Sequence, residues 1–298
     1  MSSKTLPPGF TDLIGKAAEN NYFILKNFID SFLASNYRLV SPALFEYQDK
    51  QKPAENSIKV IDSLTNEVMV MREDITKQIG RIFRKENQDS AKYCYYGNVF
   101  YQNNNELNQA RQLTQLGLEA IADASLARDY EIFSLTLDAL AKINITDFVI
   151  VIALPEIFNQ ICRLKKINQL EQQKLRSMFF AKNYSALKKS KYNYLAKYVL
   201  SSDSDKLAEL KNDYPELSPA LEEFATLLSK LQKNYPQLEI IVDPFDLRQF
   251  RYHTDYVFKI ISRQAKQVFA RGGAYQIDKK QAAAGVSFYL EELSPLTK

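Results

Sequence analysis

Two periodicities divide the chain. Between residues 16 and 36, Ile24, Leu25, Phe28, Ile29, Phe32 and Leu33 fall on one side of a 3.6-residue repeat, with polar residues behind them. That pattern predicts an amphipathic helix, ended near Asn36. Residues 37–47 (YRLVSPALFEY) switch to β-formers with Pro42 inside. Proline donates no ladder hydrogen bond, so this strand is expected at an edge or broken there. Residues 59–71 read as two strands around a Thr65-Asn66 turn, and Asp74 as the cap of a helix reaching about Phe83. Residues 93–100 and 112–121 read as strands joined by the polar loop YQNNNELNQA. A second amphipathic helix is expected over 124–143 and a buried strand over 148–153. From about 155 to 235 the pattern is helical, with Leu170, Leu175, Phe179, Leu187, Leu195 and Leu200 as apolar points. Strand signals return at 238–242, 255–261 and 267–270, and residues 286–293 start as strand and end in a short helix.

No regular strand–helix alternation runs through this order, which excludes a doubly wound parallel sheet. The expected class is α+β: a largely antiparallel sheet flanked by helices, with an inserted helical module. Glycine supports that division. The chain has 8 glycines, none between Gly117 and Gly272. Residues retained as glycine are expected where φ is positive or backbones approach closely, so blocks 1–120 and 240–293 set the architecture.

Composition removes several classes of function. The 298 residues are 25% charged and 46% hydrophobic, and Lys+Arg 39 against Asp+Glu 35 gives +4, too little for a nucleic-acid coat. Two cysteines and one histidine exclude a disulfide scaffold and argue against zinc; no metal and no cofactor are expected. No apolar leader core opens the chain and no run approaches the roughly 18 residues of a membrane span, so the expected compartment is the cytoplasm. Gln115 and Glu119 share one face of their strand. Lys165, Lys166, Lys174, Lys182, Lys188, Lys189, Lys191 and Lys197 interleave with Tyr184, Tyr192, Tyr194 and Tyr198. That combination suits stacking on RNA or, more simply, a solvated helical face.

Several segments together resemble histidyl-tRNA synthetase and its relatives. LPPGFTDL (6–13) is similar to the N-terminal signature of that family, and RLVSPALFEY (38–47) to class II motif 1. VMREDITKQIGRIF (70–83) resembles the segment that grips the amino-acid ammonium. YCYYGNVF (93–100) and RQLTQLGLEAIAD (111–123) resemble the two strands of motif 2. FDLRQFRYHTDYVFKI (245–260) with ARGGAYQ (270–276) resembles the histidine-specific region, and AAAGVSFYLEEL (282–293) motif 3. The resemblance implies a class II core in two parts, 1–154 and 237–298, around a helical insertion at 155–236. No anticodon-binding domain is expected.

The resemblance also implies a pocket. Asp74 and Thr76 would take the ammonium, Gln115 the main-chain groups, Glu119 an imidazole N–H, Arg248 the carboxylate, and Tyr275 would line the ring. Tyr252 and His253 stand where the family carries tandem tyrosines, and Ala274 and Gln276 replace its arginine and acid around Tyr275. At the nucleotide end the motif 2 arginine position is Tyr101, followed by Gln102, Asn103 and Asn104, and the motif 3 arginine position is Glu292. Loss of one preorganised donor to a reacting phosphoryl group costs about 3–4 kcal/mol, and a carboxylate reverses the sign of the field. Amino-acid activation is therefore not expected.

A synthetase-like core without those arginines resembles the regulatory-subunit family of ATP phosphoribosyltransferase. That resemblance implies a non-catalytic partner of a short-form catalytic subunit, L-histidine as feedback effector, and a homodimer within a hetero-oligomer. The alternative is a divergent enzyme that activates or transfers an amino acid to a non-tRNA acceptor, with Arg72, Arg111 or Arg271 supplying the missing cation.

Overall fold

The computed structural model describes residues 5–48, 57–102, 110–200, 203–246, 253–277 and 281–297. Two compact units are formed: Met1–Ala120 with Asp138–Ile145 and Ser287–Lys298, and Ile121–Leu137 with Thr146–Val286.

The first unit begins with α1 (Lys16–Ala34). Its apolar stripe buries Ile24, Phe28 and Phe32 completely, and Phe28 packs edge-on against Phe288 at 4.8 Å. Each such ring contributes about 1.5–3 kcal/mol on leaving water. Strands β1 (Arg38–Val40) and β2 (Phe45–Tyr47) follow. Pro42 sits between them, and the chain breaks there as expected: β1 pairs in parallel with β5 (Ala91–Phe100), whereas β2 joins a separate three-stranded sheet. That small sheet is the hairpin of β3 (Lys59–Ile61) and β4 (Val68–Met71), with β2 antiparallel to β4. Asn66, in the turn, takes φ 58°. Asp74 caps α2 (Ile75–Glu86), its Oδ1 accepting from Thr76 N–H at 3.0 Å. Strand β6 (Gln112–Ile121) lies beside β5, and the backbone bond Tyr101 N–H to Arg111 O (2.9 Å) ties their ends. Then come α3 (Leu126–Lys142) and β7 (Phe148–Ala153).

Helices carry the next stretch: α4 (Pro155–Leu164), α5 (Gln169–Phe180), α6 (Tyr184–Lys189), α7 (Lys197–Leu200), α8 (Asp203–Asp213) and α9 (Ser218–Asn234). The remaining elements are β8 (Ile240–Val242), β9 (His253–Ser262), β10 (Val268–Gln276), β11 (Ala282–Tyr289) and α10 (Leu290–Leu293). In the second unit the strand order is β11-β10-β9-β7-β8. β9 is antiparallel to β7 and β10, but β7 and β8 are parallel. The class is α+β as expected; the strands are mixed within each unit, because β1 adds in parallel in the first and β8 in the second.

Two glycines are explained by close approach. A Cβ on Gly97 would lie 2.1 Å from Arg72 Nη2, and one on Gly272 would lie 2.4 Å from Phe258 Cζ and 2.5 Å from the Gly285 carbonyl. Tyr198 departs from the expected solvated face. It is 1% exposed, beside Tyr214 and Phe245. By contrast, Lys191 and Lys197 make surface ion pairs with Glu171 and Asp213.

Candidate amino-acid site

The first unit gathers Asp74, Thr76, Gln115 and Glu119 into one hydrogen-bonded group. The cap geometry of α2 presents Asp74 and Thr76, and the period of two on β6 presents Gln115 and Glu119 on the same side. Both β6 residues are buried, at 1% and 2% exposure. Strand β6 is covered on both sides, so this polar face looks into the protein.

Donor counting orients the network. Gln115 Oε1 accepts from Ile75 N–H at 2.8 Å, which fixes its amide; Nε2 then donates to Asp74 Oδ1 (3.0 Å) and to Ser287 Oγ (2.9 Å). Tyr95, wholly buried, donates to Glu119 Oε1 at 3.1 Å, and Thr76 Oγ1 donates to the same oxygen at 2.9 Å. With those two protons committed, the 2.9 Å contact between Tyr95 and Ser287 has the serine as donor. Protons therefore point inward onto Asp74 and Glu119. The Tyr95 phenol is held well above its ordinary range, first by burial and then by the Glu119 and Asp74 charges. The chemical complement of two carboxylates set in neutral hydroxyls and amides is a cation with several N–H groups: an ammonium, an imidazole edge, or both on one molecule.

The other end of β5 differs. Tyr101 follows its last residue, Phe100. Burial raises its phenol far above the ordinary value, reinforced by a hydrogen bond to Tyr289 and by the Asp74 and Glu73 charges. On α10, Glu291 accepts from Thr114 N–H (2.8 Å) and Thr114 Oγ1 (2.9 Å), and Glu292 lies beside it half-buried. Two of the three candidate cations serve as struts. Arg72 donates to Pro42 O and Asn98 O, both at 2.7 Å. Arg111 donates to Tyr101 O at 3.1 Å and lies over the Phe10 ring at 5.5 Å.

In the second unit Tyr275 is buried on β10, paired in register with His253 at the start of β9. Arg248 and Tyr252 lie outside the described residues, as do Asn103, Asn104 and the side chain of His253. No group of metal-binding side chains occurs among the described residues, and no described helix is long and apolar enough to cross a membrane. Sequence reasoning missed Tyr95, Ser287 and Tyr289. Tyr95 sits among Tyr93 and Tyr96 with nothing local to single it out, and Ser287 hides in a run of small residues.

Fold and network together define a class II aminoacyl-tRNA synthetase-like core. Comparison with known proteins narrows this. A family model described as histidyl-tRNA synthetase matches residues 9–293, and the chain belongs to that family. Within it, the chain is similar to an ATP phosphoribosyltransferase regulatory subunit of Hahella chejuensis, 25% identical over 289 residues that cover 91% of this chain and 72% of the relative. Among solved structures, an ATP phosphoribosyltransferase regulatory subunit/histidyl-tRNA synthetase from Bacillus halodurans superposes with TM-score 0.88 at 18% identity, covering 100% of this chain and 84% of that one. The ATP phosphoribosyl transferase (HisG:HisZ) complex from Thermotoga maritima contains a chain matched at TM-score 0.73 and 18% identity, over 91% of this chain and 97% of that one. At such identities the two structures share the fold.

Proposed function

We propose that this protein is a non-catalytic regulatory subunit of ATP phosphoribosyltransferase in histidine biosynthesis, acting in the cytoplasm. In this reading it binds a short-form catalytic subunit, is required for its activity, and mediates inhibition by L-histidine. The pocket comprises Asp74, Thr76, Gln115, Glu119 and Tyr275, with Arg248 facing the ligand carboxylate and Tyr252 and His253 completing the side-chain end. The core pairs with a second copy inside the hetero-oligomer.

One observation supports the proposal: protons are directed inward onto Asp74 and Glu119, while in this reading Tyr101 and Glu292 hold the positions where the family carries its triphosphate-binding arginines. The site thus suits an amino acid and repels the nucleotide required to activate it. Similarity to proteins named regulatory subunits supports the same reading. Binding becomes regulation only by linkage: histidine must bind the inhibited state of the complex more tightly than the active state.

Co-expression with a short-form ATP phosphoribosyltransferase chain tests this. Stable co-purification, a rise in that chain's turnover, and inhibition by L-histidine that Glu119→Gln abolishes are the expected results. Pyrophosphate exchange with any amino acid above background would overturn it in favour of the enzyme alternative.

A further inference from the structure

Ser287 is the first residue of β11 that belongs to the first unit, and it is half-buried. Its one hydroxyl joins two parts of the network: Oγ accepts from Gln115 Nε2 at 2.9 Å and reaches Tyr95 Oη at 2.9 Å. The Gln115 carbonyl oxygen is committed to Ile75 N–H at 2.8 Å, so its amide presents only protons to the serine. The serine proton is thereby left for the phenol. Donation runs from Gln115 to Ser287 to Tyr95 to Glu119, from an amide held by backbone to a buried carboxylate. A hydroxyl that accepts one hydrogen bond donates the next more strongly.

Thr76 makes the serine decisive. Its Oγ1 lies 2.9 Å from Glu119 Oε1 and 3.0 Å from Tyr95 Oη. A hydroxyl carries one proton, so Thr76 serves one acceptor at a time. While Ser287 supplies the phenol oxygen, the Thr76 proton is left to Glu119. The phenol is wholly buried, where an oxygen without a donor is costly. Without the serine hydroxyl, Thr76 is the remaining donor to that oxygen among the described residues, and Glu119 must share it.

We infer that Ser287 is a positioning residue for ligand recognition: it reserves the protons of Thr76 and Tyr95 for Glu119 and so fixes the carboxylate against which a ligand N–H edge docks. The inference rests on the histidine-binding reading of Glu119.

A double-mutant cycle tests this, with L-histidine affinity read by calorimetry. Ser287→Ala is expected to weaken L-histidine about fivefold in the wild-type background, but less than about twofold beside Tyr95→Phe, where no phenol oxygen remains to be supplied. Ser287→Cys keeps the volume but donates weakly, and is expected to match Ser287→Ala. Ser287→Thr restores the hydroxyl and is expected to return affinity to within about twofold of wild type. An equal loss in the two backgrounds, wild-type affinity in Ser287→Ala, or wild-type affinity in Ser287→Cys overturns the inference. If wild type gives no heat with L-histidine, the effector reading falls. In that case, or if Tyr95→Phe alone abolishes the heat, the same cycle is read on urea midpoints: a Ser287→Ala shift at least about twice as large in wild type as beside Tyr95→Phe supports the coupling, and equal shifts overturn it. Should Ser287→Ala not fold, Ser287→Cys takes its place in both cycles.

Discussion

At the α2 end of the first unit, Thr76, Tyr95 and Gln115 direct their protons onto two carboxylates. At the Phe100 end of β5 stand a neutral phenol bonded to Tyr289 and a glutamate bonded to Thr114. One end is arranged to attract positive charge; at the other, among the described residues, Arg72 and Arg111 are engaged with backbone carbonyls. On the proposed function, a binding half and a reacting half of an inherited site separate, because the first depends on a network oriented by backbone and amide geometry, and the second on a few long side chains.

Glu119→Ala should break the comparison hardest. It removes the buried acceptor that Thr76 and Tyr95 share, at about 2–4 kcal/mol of stability in chemical denaturation, and weakens histidine by about 100-fold in calorimetry. Next, Gly97→Ala forces the Arg72 guanidinium from its two carbonyls. A loss of roughly 1–3 kcal/mol is expected, with the melting temperature as readout. Tyr101→Arg sharpens the contrast: the new guanidinium meets Asp74 and Glu73, Glu291 and Glu292 remain, and no pyrophosphate exchange appears. Exchange above background would show that one side chain separates the two chemistries.

The smallest effect concerns Cys94 and Cys162, both pushed to about 11 by burial. Native thiols should react slowly with a disulfide reagent at pH 8 and rapidly in denaturant. Because the folded values are raised, their contribution to stability is complete below the ordinary thiol range near about 8.5 and is lost as pH rises to about 11. Denaturant midpoints across that window measure it.

Periodicity located α1, the β3–β4 hairpin, the Asp74 cap, β5, β6 and β7, because each is amphipathic or sharply punctuated by Pro42, Asn66 or Asp74. The extent of β10 was less legible: residues 267–270 carry β-formers, whereas Arg271, Gly272 and Gly273 show no strand pattern, although the strand continues to Gln276. Neighbouring strands, not local preference, hold it. The convergence of Asp74, Thr76, Gln115 and Glu119 came from resemblance, since spacing alone placed only the β6 pair together. Tyr95 and Ser287 needed coordinates, because their roles arise from contacts across 192 residues of chain.

Arg72 gives the site a history. Its guanidinium braces Pro42 and Asn98, and Gly97 has no side chain to displace it. Here a positive group serves as masonry. On the proposed non-catalytic reading, returning this chain to chemistry would therefore demand more than reinstating arginines at Tyr101 and Glu292; it would mean freeing a beam that the walls now rest on.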